Sequence, residues 1–237
     1  MRSYATALHI GDREYQCDAT AVHTAPDGTR AHVLLDGIGD RESVRAWTRA
    51  TARRLARSAA RCGDGEKALR RLHAALAGGP VGAAAVVAVT APGRPLALAW
   101  CGDSRAYLLG TDGTLVALTR DHNLRRAFTG GNRHRITSYL GSPRDETATV
   151  NTYGHPAIET ATAPATGRLA LLTDGGYEPH EDTGEPGRLA SLLTGTPATA
   201  ARALTHRAVA DSRAQSRARR ETPFADNATA LVADLHP

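Results

Sequence analysis

Four aspartates beside glycine or asparagine, each at or next to the edge of an apolar run, constrain this chain more than any other feature. They are Asp36, Asp103, Asp174 and Asp226. Each pattern predicts a point where a strand meets a turn, which fixes the backbone and lets the carboxylate reach into a cleft. If the four meet at one end of a sheet system, their oxygens form a site for a hard cation such as Mg²⁺ or Mn²⁺.

Length and cysteine usage narrow the class of protein. The 237 residues fit one domain, which we expect to span 1–237. No apolar run is long enough to cross a bilayer, and the first residues lack the basic and apolar segments of a signal peptide. The three cysteines form no CxxC pair, which disfavours zinc and a disulfide framework. We therefore expect a cytoplasmic protein without a membrane segment, and a monomer by default.

The charge pattern gives little support for a nucleic-acid partner. The net charge of +5 comes from arginine-rich stretches at 45–61 and 213–220. Apart from Trp47, no aromatic residue lies among these arginines, and no nucleic-acid-binding motif is present. We interpret both stretches as solvated helix faces and expect no nucleic acid, with binding through the arginines kept as a weaker alternative.

The order of predicted elements indicates an α+β layered domain. Alternating and apolar segments predict strands at 4–10, 19–24, 30–35, 84–90, 96–101, 105–109, 114–118, 148–153, 168–173 and 228–235. Helical periodicity predicts helices at 43–61, 66–77, 187–193 and 197–212. The polar, glycine-containing segment 120–134 is expected to be a loop with a short helix.

An ordered set of short motifs covers almost the whole chain. The most specific is Gly-Asp-Ser-Arg-Ala-Tyr-Leu at 102–108, followed by Leu-Thr-Arg-Asp-His at 118–122. The others lie at 13–18, 35–39, 136–141, 172–175 and 226–229. In this order the motifs resemble those of the metal-dependent protein serine/threonine phosphatases, the protein phosphatase 2C family, in its compact bacterial form.

The resemblance implies a fold and a set of site residues. The fold is a four-layer α-β-β-α sandwich, with two antiparallel sheets packed face to face and helices outside. Asp36 would bridge two metal ions, the carbonyl of Gly37 would bind one of them, and Asp174 and Asp226 would hold the other. The family also implies roles for three other residues. Asp18 would act near the first ion through water, and Asp103 would help Asp174 to hold a third, more weakly bound ion. Arg13 would bind the substrate phosphate.

This residue set suits hydrolysis of a phosphate monoester. Two divalent cations can lower the pKa of a shared water and hold it as hydroxide in line with the leaving oxygen. Without cations, facing carboxylates would repel one another and raise each other's pKa. We therefore expect Asp36, Asp174 and Arg13 to be catalytic, Mn²⁺ or Mg²⁺ to be the cofactor, and phosphorylated proteins, a serine/threonine kinase or its targets, to be the partners.

Each assignment has a structural alternative. Asp-Gly is an ordinary turn, and Asp226-Asn227 can begin a turn before the last strand. Asp103 can pair with Arg105 or cap its own turn. Asp121 and His122 match a family motif but are expected to fix a loop rather than touch substrate.

Three positions depart from the family pattern. Cys17 replaces an acidic or amide residue, Asp40 replaces a glycine and Ala84 lies in a stretch that usually carries threonine. Asp40 could tolerate the unusual backbone angle, cap the following helix or add charge near the metals. These departures leave a second hypothesis open: a catalytically weak or inactive module that binds a phosphoprotein or a kinase.

Overall fold

The computed structural model describes residues 3–235 and contains two five-stranded antiparallel sheets. One sheet has the order β1-β10-β9-β6-β7 and the other β2-β3-β4-β5-β8. The strands are β1 Tyr4–His9, β2 Ala19–Thr24, β3 Arg30–Gly37, β4 Ala83–Thr90, β5 Leu96–Cys101, β6 Arg105–Leu109, β7 Leu115–Ala117, β8 Glu159–Ala163, β9 Gly167–Leu172 and β10 Ala228–Leu235.

Helices cover the outer face of each sheet. Their bounds are α1 Glu42–Cys62, α2 Gly65–Leu76, α3 Leu124–Ala127, α4 Glu146–Tyr153, α5 Asp174–Glu181, α6 Arg188–Leu192 and α7 Pro197–Ala218. Helix α1 packs on β2 and β3, and α2 packs on β4 and β5. Helix α7 packs on β1 and β10 of the other sheet, and α5 packs between α7 and that sheet. The predicted four-layer α-β-β-α sandwich is thereby confirmed.

The central strands are apolar on both sides because both of their faces are buried. On β3, Val33 and Leu35 join the core beneath α1, whereas Leu34 joins the core between the two sheets. On β9, Leu171 faces the inter-sheet core and Leu172 faces α7. Successive side chains of a strand point to opposite faces, so these runs read as continuous rather than alternating.

One predicted strand was wrong. Residues 148–153 lie in helix α4, although threonine and valine favour a strand in this segment. The Asp145 carboxylate accepts a hydrogen bond from the Ala148 N–H at the start of the helix, and Gly154 ends it with a left-handed φ of 72°. These two caps outweigh the local preference of the side chains between them.

Other differences concern elements that the sequence pattern did not reveal. Strand β8 and helix α5 were both missed, and α7 continues six residues beyond the predicted end at Ser212. Helix α5 contains two glycines and Pro179, so its sequence has no helical signature. Within residues 3–235, no helix is long and apolar enough to span a bilayer.

Candidate active site

The five predicted aspartates lie at strand ends that meet at one end of the sandwich. Asp36 is the penultimate residue of β3 and lies opposite Ala84 on β4. Asp18 directly precedes β2, and Asp103 lies in the turn between β5 and β6. Asp174 opens helix α5 directly after β9. Asp226 lies two residues before β10.

A cavity of about 380 Å³ brings most of these residues together. Its lining includes Arg13, Asp36, Gly37, Ile38, Gly39, Ala84, Asp103, His134, Ile136, Asp174, Asp226 and Asn227. A larger cavity of about 570 Å³ lies at the opposite end of the sandwich, beside Arg30 and Thr90, and contains none of the predicted site residues. The chemistry therefore points to the smaller cavity, because only there do several carboxylates converge.

Close backbone packing holds Asp174 next to Asp226. A Cβ atom added to Gly175 would lie 2.2 Å from the carbonyl oxygen of Asn227 and 3.3 Å from the Cβ of Asp226. Only glycine permits this approach. The Gly175 N–H also donates to Asp174 Oδ1 at 2.6 Å, which fixes the direction of that carboxylate. Gly175 is therefore required by the geometry of the site and not only by the turn.

Asp18 lies behind the cavity rather than on its wall. Its residue is 1% exposed, and it is absent from the cavity lining. The Thr173 hydroxyl donates to Asp18 Oδ2 at 3.3 Å, and the same hydroxyl accepts from the Thr229 N–H at 3.0 Å. This position suits an indirect role through water better than direct contact with an ion.

The aspartates are poorly compensated by positive charge. Burial and the charges of neighbouring aspartates raise the pKa of Asp36 and of Asp103 well above the usual range. The same causes raise the pKa of Asp174, although the Asp36 carboxyl and the Gly175 N–H hydrogen-bond to it and oppose the shift. Burial, with repulsion from Asp174 and Asp226, raises the pKa of Asp18 to about 7. A group of carboxylates held in this way favours any cation that enters it.

Arg13 lies at the cavity and holds Asp226. Its Nε donates to Asp226 Oδ1 at 2.7 Å and its Nη2 donates to Oδ2 at 2.6 Å. These hydrogen bonds outweigh burial and raise the pKa of Arg13 above its usual value. The guanidinium also lies 5.3 Å from the centre of the Phe224 ring. The predicted phosphate-binding residue is thus beside the predicted metal ligands, with a third of its side chain exposed.

Two of the three departures from the family pattern have structural roles. Asp40 does not cap α1; its carboxylate accepts the N–H groups of Glu14 and Tyr15 and so fixes the loop that carries Arg13. The left-handed backbone angle falls on Gly39, with a φ of 120°, and not on Asp40. The Cys17 thiol contacts the Arg41 carbonyl at 3.7 Å. Ala84 lines the cavity opposite Asp36.

The alternative pairing of Asp103 with Arg105 is wrong. Arg105 donates to both oxygens of Asp121, at 2.7 and 2.9 Å, and to Glu181 at 2.6 Å. Asp121 therefore anchors the loop after β7, as expected. His122, also as expected, lies within the protein and contacts Glu159 at 3.0 Å.

The structure adds two residues that sequence reasoning missed, His134 and Glu178. Together with Asp174 they offer three ligand atoms within 4.8 Å of one another. Glu178 follows Asp174 by four residues, which is one helical turn, so recognition of α5 as a helix would have placed it beside the aspartate. No comparable signal marks His134, which comes from a loop.

The donor set of this end of the sandwich fits Mg²⁺ or Mn²⁺. Apart from His134, the candidate ligands are carboxylate and carbonyl oxygens, which these hard cations prefer. The cysteine nearest to them, Cys17, is turned to the Arg41 carbonyl. Several carboxylates beside one cavity on an α-β-β-α sandwich thus form a donor set that a divalent cation could occupy.

Comparison with known proteins finds a family resemblance in the middle of the chain. The family model described as "Protein phosphatase 2C" matches residues 40–144, which include Ala84, Asp103 and Asp121. No match was found among curated proteins. The predicted resemblance to the protein phosphatase 2C family is therefore confirmed over this segment, which is less than half of the chain.

Solved structures agree with the fold over its full length. The serine/threonine phosphatase Stp1 from Staphylococcus aureus is 18% identical, with a TM-score of 0.73, and the match covers 100% of this chain and 96% of that one. The phosphatase MsPP from Mycobacterium smegmatis, in complex with cacodylate, is 21% identical with a TM-score of 0.69, covering 99% and 98%. For the phosphatase PstP/Ppp from Mycobacterium tuberculosis the identity is 22%, the TM-score 0.65 and the coverage 99% and 98%.

Proposed function

We propose that this protein hydrolyses phosphoserine and phosphothreonine in other proteins with the help of Mn²⁺ or Mg²⁺. The observation that carries the proposal is the convergence of Arg13, Asp36, Asp103, Asp174 and Asp226 on one cavity. These residues come from distant parts of the chain, and the structure was not needed to select them. A chance gathering of turn aspartates around one cavity would not include the arginine as well.

The proposed ligands follow from their positions. Asp36, the carbonyl of Gly37, Asp174 and Asp226 would hold two ions, and Asp18 would act on the first of them through water. Asp103 and Asp174 would face a third ion. When bound, the cations acidify water and neutralise charge on the phosphoryl group.

The chain's own residues orient the substrate. Two donors of the Arg13 guanidinium, Nε and Nη2, bind Asp226, so a phosphoryl oxygen would meet the remaining N–H groups of the same planar cation. Asp40 holds the loop that carries Arg13, and Gly175 fixes the direction of Asp174. A phosphate placed between Arg13 and Asp36 would therefore meet donors on one side and carboxylate-held cations on the other.

The rim of the cavity supports a peptide rather than a small metabolite. Ile38 lines the cavity and is 45% exposed, and Phe224, beneath Arg13, is 44% exposed. Exposed apolar side chains beside a polar cleft favour contact with the side chains that flank a phosphorylated residue. The proposed partner is a phosphorylated protein, such as a serine/threonine kinase or one of its targets. The proposed working form is a cytoplasmic monomer.

The alternative of an inactive binding module has no specific support in the structure. Of the three positions that suggested it, Asp40 and Cys17 are engaged in local hydrogen bonds, and Ala84 lines the cavity opposite Asp36. Calorimetry with Mn²⁺ separates the two functions. The enzyme requires the cations, whereas a module that recognises phosphoproteins by surface contacts alone does not.

The direct test measures phosphate release from phosphoserine and phosphothreonine peptides in the presence of Mn²⁺. Asp174→Asn keeps the size of the side chain but removes a negative charge. We expect activity to fall by about 10²–10³-fold, the loss typical of removing one electrostatic stabiliser of a transition state.

The matched control is Asp112→Asn. Asp112 is exposed and accepts a hydrogen bond from the Thr114 N–H, which asparagine can also accept. Activity of this control should equal that of the wild type. Equal activity of the wild type and Asp174→Asn would remove the proposal.

A further inference from the structure

His134 gives the cavity a potential nitrogen ligand among oxygen ligands. It lies in the loop between α3 and α4, is exposed, and belongs to the lining of the cavity. Its ring, the Asp174 carboxylate and the Glu178 carboxylate each offer an atom, and these atoms lie within 4.8 Å of one another. The motifs that identify the family include neither His134 nor Glu178.

The two oxygens of Glu178 face different partners. Oε1 lies 3.3 Å from Arg133 Nε, and Oε2 lies 3.4 Å from His134 Nδ1. Arg133 also donates to both oxygens of Asp182, at 2.7 and 2.5 Å. Arg133 therefore fastens the loop to α5. Its Nε also donates to His134 Nε2 at 3.3 Å, so the nitrogen left for a metal is Nδ1, which faces Glu178 Oε2.

An independent observation on the same cavity concerns Asp103. This residue is 7% exposed, and within residues 3–235 no other residue donates a hydrogen bond to its carboxylate. A buried carboxylate without such a partner is costly unless a cation approaches it. Asp103 lines the cavity together with Asp174 and His134, so a cation placed between them would relieve that cost.

We propose that His134, Asp174 and Glu178 form a metal site in which an imidazole nitrogen selects Mn²⁺ over Mg²⁺. The family resemblance implies a third ion between Asp103 and Asp174; the new element is a nitrogen ligand and a second carboxylate for that ion. The proposal rests on the proposed function only through Asp174, which both sites share.

The chemistry of the ligands supports this selectivity. Mg²⁺ prefers oxygen and holds its waters tightly, whereas imidazole is a better ligand for the divalent transition metals. Opposite ligands of an ion of this size lie about 4 Å apart. The three atoms lie within 4.8 Å of one another, which is close to that spacing, and the exposed His134 side chain is not held by surrounding core.

The competing explanation is an ordinary ion pair between His134 and Glu178. An ion pair of this kind needs no metal and is worth little at the surface. It predicts that Mn²⁺ never contacts a nitrogen. The two explanations therefore differ in whether a nitrogen atom is bound directly to Mn²⁺, which spectroscopy of the ion can measure.

The test uses the whole chain loaded with Mn²⁺ and records electron spin-echo envelope modulation, which detects ¹⁴N bound directly to the ion. We expect ¹⁴N modulation in the wild type and its loss in His134→Gln. Titration by Mn²⁺ paramagnetic resonance should show the weakest site bind at least about 10-fold less tightly in His134→Gln and in Glu178→Gln. The preference of that site for Mn²⁺ over Mg²⁺ should also shrink in His134→Gln.

The matched control is His23→Gln on β2, at the opposite end of the sandwich, which should retain the modulation. Absence of ¹⁴N modulation in the wild type at saturating Mn²⁺, or its persistence in His134→Gln, would overturn the proposal. The readout does not depend on catalysis. If the protein released no phosphate but kept the ¹⁴N signal, the proposed function would fail and this metal site would stand.

Discussion

Glu159 and the aspartates of the cavity are carboxylates largely removed from solvent, but their charge environments are opposite. Glu159 receives two hydrogen bonds from the Arg126 guanidinium, at 2.6 and 2.7 Å, and contacts His122 at 3.0 Å. Asp36 and Asp103 have aspartate neighbours instead. Burial disfavours the charged form of Glu159, but the hydrogen bonds outweigh it and lower its pKa to about 2. The pKa values of Asp36 and Asp103 are raised.

The contrast separates structure from function. Glu159 is neutralised by groups that the chain supplies, so its network fastens the loop after β7 to β8. The aspartate cavity holds several carboxylates against Arg13 and needs charge from outside. A protein that retains such a cavity gives up stability there, which is expected where a site exists to bind cations.

The largest stability effect should come from breaking the compensated network. Glu159→Gln leaves the Arg126 guanidinium, whose side chain is 13% exposed, without its carboxylate. We expect the free energy of unfolding to fall by about 3 kcal/mol, the lower end for a broken buried pair because Glu159 is partly exposed. Urea unfolding measures this. An unchanged midpoint would mean that the network contributes nothing to the fold.

The next largest change in stability should come from adding cations, which would bind at the aspartate cavity. Mn²⁺ at 100 times its dissociation constant should stabilise the protein by about 2.7 kcal/mol, because it binds the folded state and not the unfolded chain. Thermal unfolding with Mn²⁺ and with a chelator checks this. The same shift should appear in Glu159→Gln and should be much smaller in Asp174→Asn.

Removing one uncompensated charge should stabilise the protein when cations are withheld. In a chelator, Asp36→Asn relieves repulsion within the cavity, and we expect a gain of about 1–2 kcal/mol. Asp112→Asn should show no gain. In Mn²⁺ the advantage of Asp36→Asn should disappear, since the variant loses a proposed ligand. A loss of stability in the chelator would contradict the idea that the cavity is electrostatically strained.

Measured per pH unit, the smallest effect is the pH dependence of stability that Glu159 contributes. Its pKa in the folded protein, about 2, lies below its ordinary value of 4.5. Its contribution is therefore complete above about pH 4.5 and is lost as the pH falls toward 2. The slope should reach at most about 1.4 kcal/mol per pH unit. The difference in the free energy of unfolding between the wild type and Glu159→Gln, measured at several pH values, isolates this contribution. A difference that stays constant between pH 4.5 and 2 would contradict the prediction.

Local sequence patterns predicted much of the fold. Helix α1 lies within one residue of its predicted bounds, because its apolar stripe and the following Gly63 mark it clearly. Strand β8 was missed because its threonines and alanines differ little in polarity, so the alternation between more buried and more exposed positions leaves a weak pattern in the sequence. Helix α5 forms despite its glycines because tertiary packing fixes it: Tyr177 is fully buried and donates to the Asp103 carbonyl.

The sequence predicted which residues form most of the candidate site, but it did not predict the contacts between their side chains. Ordered motifs selected the aspartates and Arg13, whose roles stay predictions, and the structure brings them to one end of the sandwich. The pairing of Arg13 with Asp226 joins residues 213 positions apart, and no local pattern carries that information. His134 was missed for the same reason, since its place depends on the long-range ion pairs of Arg133 with Glu178 and Asp182.

The position of β10 has a consequence for biosynthesis. This strand lies between β1 and β9, and Asp226 and Asn227 directly precede it. A chain emerging from the ribosome therefore holds β1 and β9 without the strand that joins them until residue 235 has been made. Until then Asp226 and Asn227, which line the cavity, are not held by β10, and the edges of β1 and β9 are open to association with other chains. The proposed phosphatase activity therefore requires β10, and a chain truncated before this strand should lack it.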